Sequence, residues 1–186
     1  MNRRPSRLKR GLLYRLYLLT MRGESMHWLP VRRWLLDGLL GRKHQGLQVF
    51  ADVFIEGLEG LTIGDNVSIN RGCNISAEGG LTIGDDVAIG HSSTLLTTEH
   101  GFSAVDVPIR NQPLDNFPTV IGPNCWLGAR VCILAGVSLA RGTIVGAGAV
   151  VTHSVEDSDC TVAGVPARLI KRRVAGPRQS KLRKRP

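Results

Sequence analysis

From Ile121 the chain runs IGPNCW, LGARVC, ILAGVS, LARGTI, VGAGAV and VTHSVE, an unbroken series of six-residue units that closes at Glu156. Each unit opens on an aliphatic residue, at Ile121, Leu127, Ile133, Leu139, Val145 and Val151. A small or β-branched residue stands four places later, at Cys125, Val131, Val137, Thr143, Ala149 and Val155. Repetition at a short fixed period is the signature of a solenoid, in which a unit buries its apolar side only by stacking on its neighbours. A weaker copy comes earlier: IGDNVS, INRGCN and IS from Ile63, then IGDDVA, IGHSST and LL from Ile83. The two IGD units start 20 residues apart, more than three units fill, so a short bulge is expected around Glu78–Gly80.

Six residues make one short flat strand and one sharp turn. Three units close a triangular coil, and stacking coils pairs each strand in parallel with the next. The opening aliphatic side chain then points into the prism, the small residue fits the corner beside it, and glycine or polar residues take the turns and the outward positions. No helix-length segment separates the units, which excludes a doubly wound α/β sheet. The register breaks at length only between Leu96 and Val120, where TTEHGFSAVDVPIRNQPLDNFPT fits no unit. A loop excursion at about 97–119 is therefore expected, and excursions from a rigid scaffold are where function concentrates.

Charge divides the chain into three. Residues 1–46 hold 11 Lys and Arg against 2 Asp and Glu, residues 47–167 hold 4 against 13, and residues 168–186 hold 9 against none. The organisation expected is a basic helical segment over 1–46, a β-helix domain over 47–171 and a basic, disordered tail over 172–186. An acidic body would repel phosphate, and only 5% of residues are aromatic, so nucleic acid is not an expected partner. The four cysteines, Cys73, Cys125, Cys132 and Cys160, form no C-x-x-C pair and have no zinc-like spacing. They read as reduced packing residues of a cytosolic protein, with no metal.

The start of the chain, MNRRPSRLKR followed by GLLYRLYLLTM, imitates a secretory signal, but Arg15 interrupts the apolar stretch and no small-residue cleavage site follows. Leu12–Leu19 is also far short of the roughly 20 apolar residues of a membrane-spanning helix. Its apolar residues lie all around a helix, so burial against the body, a partner or a bilayer surface is open. A second helix is expected over Trp28–Leu40, with Trp28, Val31, Leu35 and Leu39 on one side, Arg33 and Asp37 on the other, and Gly41 as its stop.

These units, the interruption after Leu96, the IG-x-x-x-W unit at Ile121–Trp126 and the closing string AGVPARLIKR resemble the hexapeptide-repeat acyltransferases, most closely the maltose, galactoside and colanic-acid type O-acetyltransferases. The resemblance covers about residues 49–171 and implies a left-handed parallel β-helix. It also implies that His100, at the start of the excursion, is the general base, that Asn70 binds the acceptor, and that the Ala129 backbone N–H stabilises the oxyanion. A neutral imidazole with a pKa near 6.5 suits the first task, since a hydroxyl is a poor nucleophile until its proton is taken. Glu99, Asp106 and Asp115 each have the chemistry to orient that imidazole. His91 reads as a surface residue, and His153 stands where relatives commonly carry lysine.

By the same carry-over the co-substrate is acetyl-coenzyme A. Trp126, Ala129, Gly146 and Ala147 would line its pantetheine arm, and Thr152, Arg168 and Lys171 would meet its nucleotide. Gly146 and Ala147 suit a tight coil equally well. The function implied is O-acetylation of a sugar hydroxyl, on a small saccharide or a lipid-linked polysaccharide precursor, by a homotrimer. Such an enzyme would be cytoplasmic, with peripheral contact at the inner membrane face through residues 1–40. Serine or xenobiotic acetylation and a non-catalytic scaffold are the alternatives. A γ-class carbonic anhydrase shares the fold but needs two metal-binding histidines four residues apart; the histidines here are 27, 44, 91, 100 and 153.

Overall fold

The computed structural model describes residues 6–174 and is a parallel β-helix capped by two helices. Each coil has three strands, and the strands of successive coils stack into three faces. The first face runs Gln48–Val49, Ser68–Ile69, Ala88–Ile89, Trp126–Leu127, Ile144–Val145 and Cys160–Gly164, with Ala167–Arg172 folding back antiparallel at its end. The second runs Phe54–Glu56, Asn74–Ser76, Thr94–Leu95, Cys132–Ile133 and Val150–Val151. The third runs Leu61–Ile63, Leu81–Ile83, Thr119–Ile121 and Ser138–Leu139.

The opening aliphatics do what the period requires: Ile63, Ile69, Ile75, Ile83, Ile89, Leu95, Ile121, Leu127, Ile133, Leu139, Val145 and Val151 are all buried in one core. Register is exact to the residue across each step, with Ile63 beside Ile83 and Ile83 beside Ile121. The two-residue excess falls where it was expected: Gly80 closes the widened corner at φ 99°, and its N–H donates to the Ala77 carbonyl.

The third step after nine of these twelve aliphatics carries a positive φ, at Asn66, Gly72, Asp86, Ser92, Asn124, Arg130, Gly136, Gly142 and Gly148; the steps to Glu78, Thr98 and Ser154 do not. Glycine, Asn and Asp tolerate this left-handed corner; serine and arginine adopt it rarely. Ser92 and Arg130 are the departures, and both sit on the corner between the first and second faces.

Helix α1 (Arg7–Thr20) and helix α2 (Trp28–Leu40) cover the first coil. Gly41 ends α2 in the left-handed conformation, as the sequence signalled. Leu13, Tyr17, Leu35, Leu36 and Leu39 join the prism core. The apolar side of α2 differs from the expected one: Leu35 and Leu39 are buried with Leu36 and Arg32, whereas Trp28 and Val31 are exposed. The buried Arg32 guanidinium donates to the Thr20, Gly23 and Val49 carbonyls, and the Tyr17 hydroxyl donates to Val53 O at 2.7 Å. These bonds fix the cap to the first coil. Most of the tail expected over 172–186 lies outside the described residues.

Candidate active site

The corner between the first and second faces is a column of stacked backbone. The Asn70 N–H donates to Ile89 O at 3.0 Å, and the N–H groups of Gly90, Gly128 and Gly146 donate to Leu127, Val145 and Val162, each at 2.8 Å. Asn70, Gly90, Gly128 and Gly146 therefore lie one above another, with Arg71, His91, Ala129 and Ala147 next to them. A Cβ at Gly90 would come within 2.6 Å of Gly128 C and O, and one at Gly128 within 2.6 Å of Ala147 N. These glycines are required by coil stacking, and the Gly146 Cβ would meet Ala163 at 2.7 Å. The result is a thin edge along which an extended ligand could lie against the backbone.

Asn70 Nδ2 donates to Ile89 O at 3.2 Å, which fixes the carboxamide and leaves its oxygen without a hydrogen bond among the described residues. Trp126 stands on the first face beside this edge, 56% exposed, between Ala88 and Ile144. Ser93 went unremarked in the sequence, yet it holds the turn that carries Ala129. Its buried hydroxyl donates to Gly128 O at 3.1 Å and accepts from Val131 N–H at 3.2 Å. The signal was there: Ser93 occupies the place of Cys125, Val131, Thr143 and Ala149 in their own units, and a hydroxyl at that buried step needs a hydrogen-bond partner.

His100 is on a different corner, between the second and third faces. Two buried threonines anchor the excursion. Thr97 Oγ1 donates to Ser76 O at 3.0 Å and accepts from Gly79 N–H at 2.9 Å, while Thr119 Oγ1 donates to Leu96 O at 2.7 Å and accepts from Gly136 N–H at 3.1 Å. Between them Thr98–His100 pairs antiparallel with Leu114–Asn116. The buried Gln112 side chain donates to the Ala104 and Val107 carbonyls at 2.9 Å and accepts from the Ala104 N–H, closing the tip. His100 is thus held, exposed, on a hydrogen-bonded ribbon.

The ribbon register separates the carboxylates from the imidazole. His100 is opposite Leu114 and Glu99 opposite Asp115, so with alternating side chains both acids face away from His100. Among the described residues no ion pair reaches His100. Burial pushes the thiols of Cys73, Cys125 and Cys132 up from the ordinary value, which leaves them protonated and poor nucleophiles at neutral pH.

The remaining residues divide between the corners. Thr152 is two coils above the start of the excursion, through Leu96 to Ile133 and Leu134 to Val151, and its Oγ1 is 2.8 Å from His153 Nδ1. Arg168 and Lys171 are exposed on the returning strand at the end of the first face. An open cleft of about 610 Å³ at that end is lined by His153, Glu156, Asp157, Arg168 and Leu169. One chain therefore brings Asn70, Ala129, Gly146 and Ala147 together beside Trp126, and places His100 and Thr152 on another edge.

Residues 118–153 match the model of the bacterial transferase hexapeptide family, six repeats. The chain is also 32% identical over 184 residues to a protein of Mycobacterium tuberculosis named "Probable acetyltransferase", covering 91% of this chain and 53% of that one. This chain belongs to the hexapeptide-repeat transferases. Its 37% identity to the galactoside O-acetyltransferase of Escherichia coli extends over 62 residues, 33% of this chain and 30% of the relative. The hexapeptide-repeat acetyltransferase of Vibrio cholerae, solved with acetyl-coenzyme A, superposes with a TM-score of 0.71 at 27% identity, covering 90% of this chain and 88% of that one. The chain spans about half or less of the length of these two curated relatives, and nearly all of the solved one.

Proposed function

We propose that this hexapeptide transferase moves an acetyl group from acetyl-coenzyme A to a sugar hydroxyl of a saccharide or lipid-linked polysaccharide precursor. The observation that carries the reading is the pair of features the prism presents: His100, an exposed imidazole on a hydrogen-bonded ribbon at one corner, and at another corner an edge thin enough for an extended co-substrate. The residues suit that molecule: the Gly128–Ala129 and Gly146–Ala147 backbone would run beside its pantetheine, Trp126 would flank it, and Thr152, Arg168 and Lys171 would meet the phosphates and nucleotide.

The chemistry is direct. His100 takes the proton of the acceptor hydroxyl as its oxygen attacks the thioester carbonyl carbon. A C–O bond forms, the Ala129 N–H stabilises the oxyanion, the C–S bond breaks, and the proton passes from His100 to the departing sulfur. Asn70 would receive a hydroxyl of the acceptor at its unpaired carboxamide oxygen. Because His100 and Asn70 occupy different corners, a complete site takes one edge from each of two chains, and a homotrimer provides three such sites by a closed head-to-tail interface. Sugar as acceptor is supported by the galactoside relative. Peripheral contact of the N-terminal helices with a membrane surface belongs to the same reading; no described helix is long and apolar enough to cross a membrane.

The test is free-thiol release from acetyl-coenzyme A over a panel of saccharides. His100→Ala should lose roughly 10² or more of the turnover. Equal turnover in wild type and variant would remove His100 from the reaction.

A further inference from the structure

The cap accounts for only one side of α1. Leu13 and Tyr17 point into the core, which is all that covering a terminal coil requires. On the opposite side Leu8 is 90%, Leu12 60% and Leu19 78% exposed, and Leu16 borders them. At about 100° per residue, Leu8, Leu12 and Leu19 fall within an arc of about 40°. Arg15 flanks this stripe on one side and Lys9 on the other, Arg22 stands in the turn that follows the helix, all three are exposed, and α1 has no acidic residue. Trp34 of α2, 64% exposed, lies across the groove from Lys9 and Leu13 and widens the apolar surface.

We infer that this face is a docking surface for an anionic phospholipid bilayer, with α1 lying in the interface plane. Three observations select that occupant. A helix of 14 residues is about 21 Å long, too short to cross a bilayer but well suited to lie on one. Lysine and arginine beside an apolar stripe match a lipid surface, where each cation near anionic headgroups adds attraction. Residues 1–46 carry a net excess of cations and the body over 47–167 a net excess of anions, so an anionic surface attracts the helical cap and repels the prism walls. The mounting is rigid, because the Tyr17 and Arg32 hydrogen bonds fix the opposite side of the cap to the first coil. This inference rests on the peripheral-membrane part of the proposed function and is independent of acyl transfer.

Co-sedimentation of the full chain with vesicles tests it, using phosphatidylcholine alone or with about 30% phosphatidylglycerol. Binding to the anionic vesicles should exceed binding to neutral ones by at least about tenfold and fall with added salt. The double variant Leu12→Glu, Leu19→Glu should lose it by a similar factor while thiol release with a water-soluble saccharide and the molar mass by light scattering stay unchanged. Equal binding of wild type to both vesicle types, or undiminished binding of the variant, overturns the inference. A fall in molar mass of the variant also overturns it and assigns the face to a second copy of the chain. Vesicle binding without thiol release in wild type would sink acyl transfer and leave the docking surface standing.

Discussion

Ser93→Ala probes the link between the prism interior and the reacting edge. The hydroxyl is fully buried, donates to Gly128 O and accepts from Val131 N–H, so its loss leaves one buried carbonyl and one buried amide unpaired. The alanine side chain fits, as Ala149 does at the same place in its own unit, so the cost is polar and not steric. Each orphaned group costs about 1–3 kcal/mol, and two at the lower end give about 2–3 kcal/mol together. For a chain of this size that lowers Tm by about 4–12 °C. The same two bonds hold the turn of Ala129, whose N–H, as the proposed oxyanion donor, would have to be aimed before charge develops. Loosening it should lower kcat and leave KM for acetyl-coenzyme A nearly unchanged, because the stabilisation exists only in the transition state. Calorimetry and thiol-release kinetics on the same preparation supply both numbers. A variant with unaltered Tm and kcat would refute the role of Ser93; a lowered Tm with unaltered kcat would confine it to stability and remove Ala129 as the oxyanion donor.

Arg130→Gly replaces a side chain held at φ 57° with one that adopts this corner freely, and should raise stability by about 0.5–1 kcal/mol in denaturant titration; an unchanged or lower midpoint would show that the arginine makes contacts that outweigh its strain. The buried thiols give a pH dependence of known sign. Folding raises the pKa of Cys73, Cys125 and Cys132, so the unfolded chain ionises first, and stability should fall as pH rises above the ordinary thiol value of about 8.5. Replacing Cys73 with Ser should flatten that fall between about pH 8 and 10, and an unaltered slope would exclude the thiol as its source.

The period of six was enough to read the prism, its core and its one long interruption, because a buried aliphatic every sixth residue leaves no other way to stack. The corners were legible too, for anyone counting units in threes. Asn70 follows a first-face strand and His100 a second-face strand, so the unit count alone puts them on different corners. Other features depend on three-dimensional context. Nothing in the sequence marks Arg32 for burial, and only the carbonyls of Thr20, Gly23 and Val49 converging on it make that burial favourable. The strain at Ser92 and Arg130 needs backbone angles, although their departure from Gly, Asn and Asp at the third step was visible once the step was known. The choice among Glu99, Asp106 and Asp115 turned on ribbon register, which sequence does not give for a loop, and the register turns two of them away from His100.

Complementation decides whether the two corners belong to one reaction. Each chain carries a His100 corner and an Asn70–Ala129 corner, on different edges of the same prism. If each site pairs the first from one chain with the second from its neighbour, His100→Ala and Asn70→Ala chains are defective in different halves of it. Co-produced in equal amounts and assembled at random, they give a site with both wild-type halves about one quarter of the time. Turnover should then recover to about a quarter of wild type, although each variant alone is inactive or severely impaired. A site contained in one chain has no route to recovery, since every chain in the mixture keeps its own lesion. Activity no greater than the mean of the two separate variants would therefore place both residues within a single protomer's site, against the separation of the corners, or take Asn70 out of the reaction if its variant alone remains active.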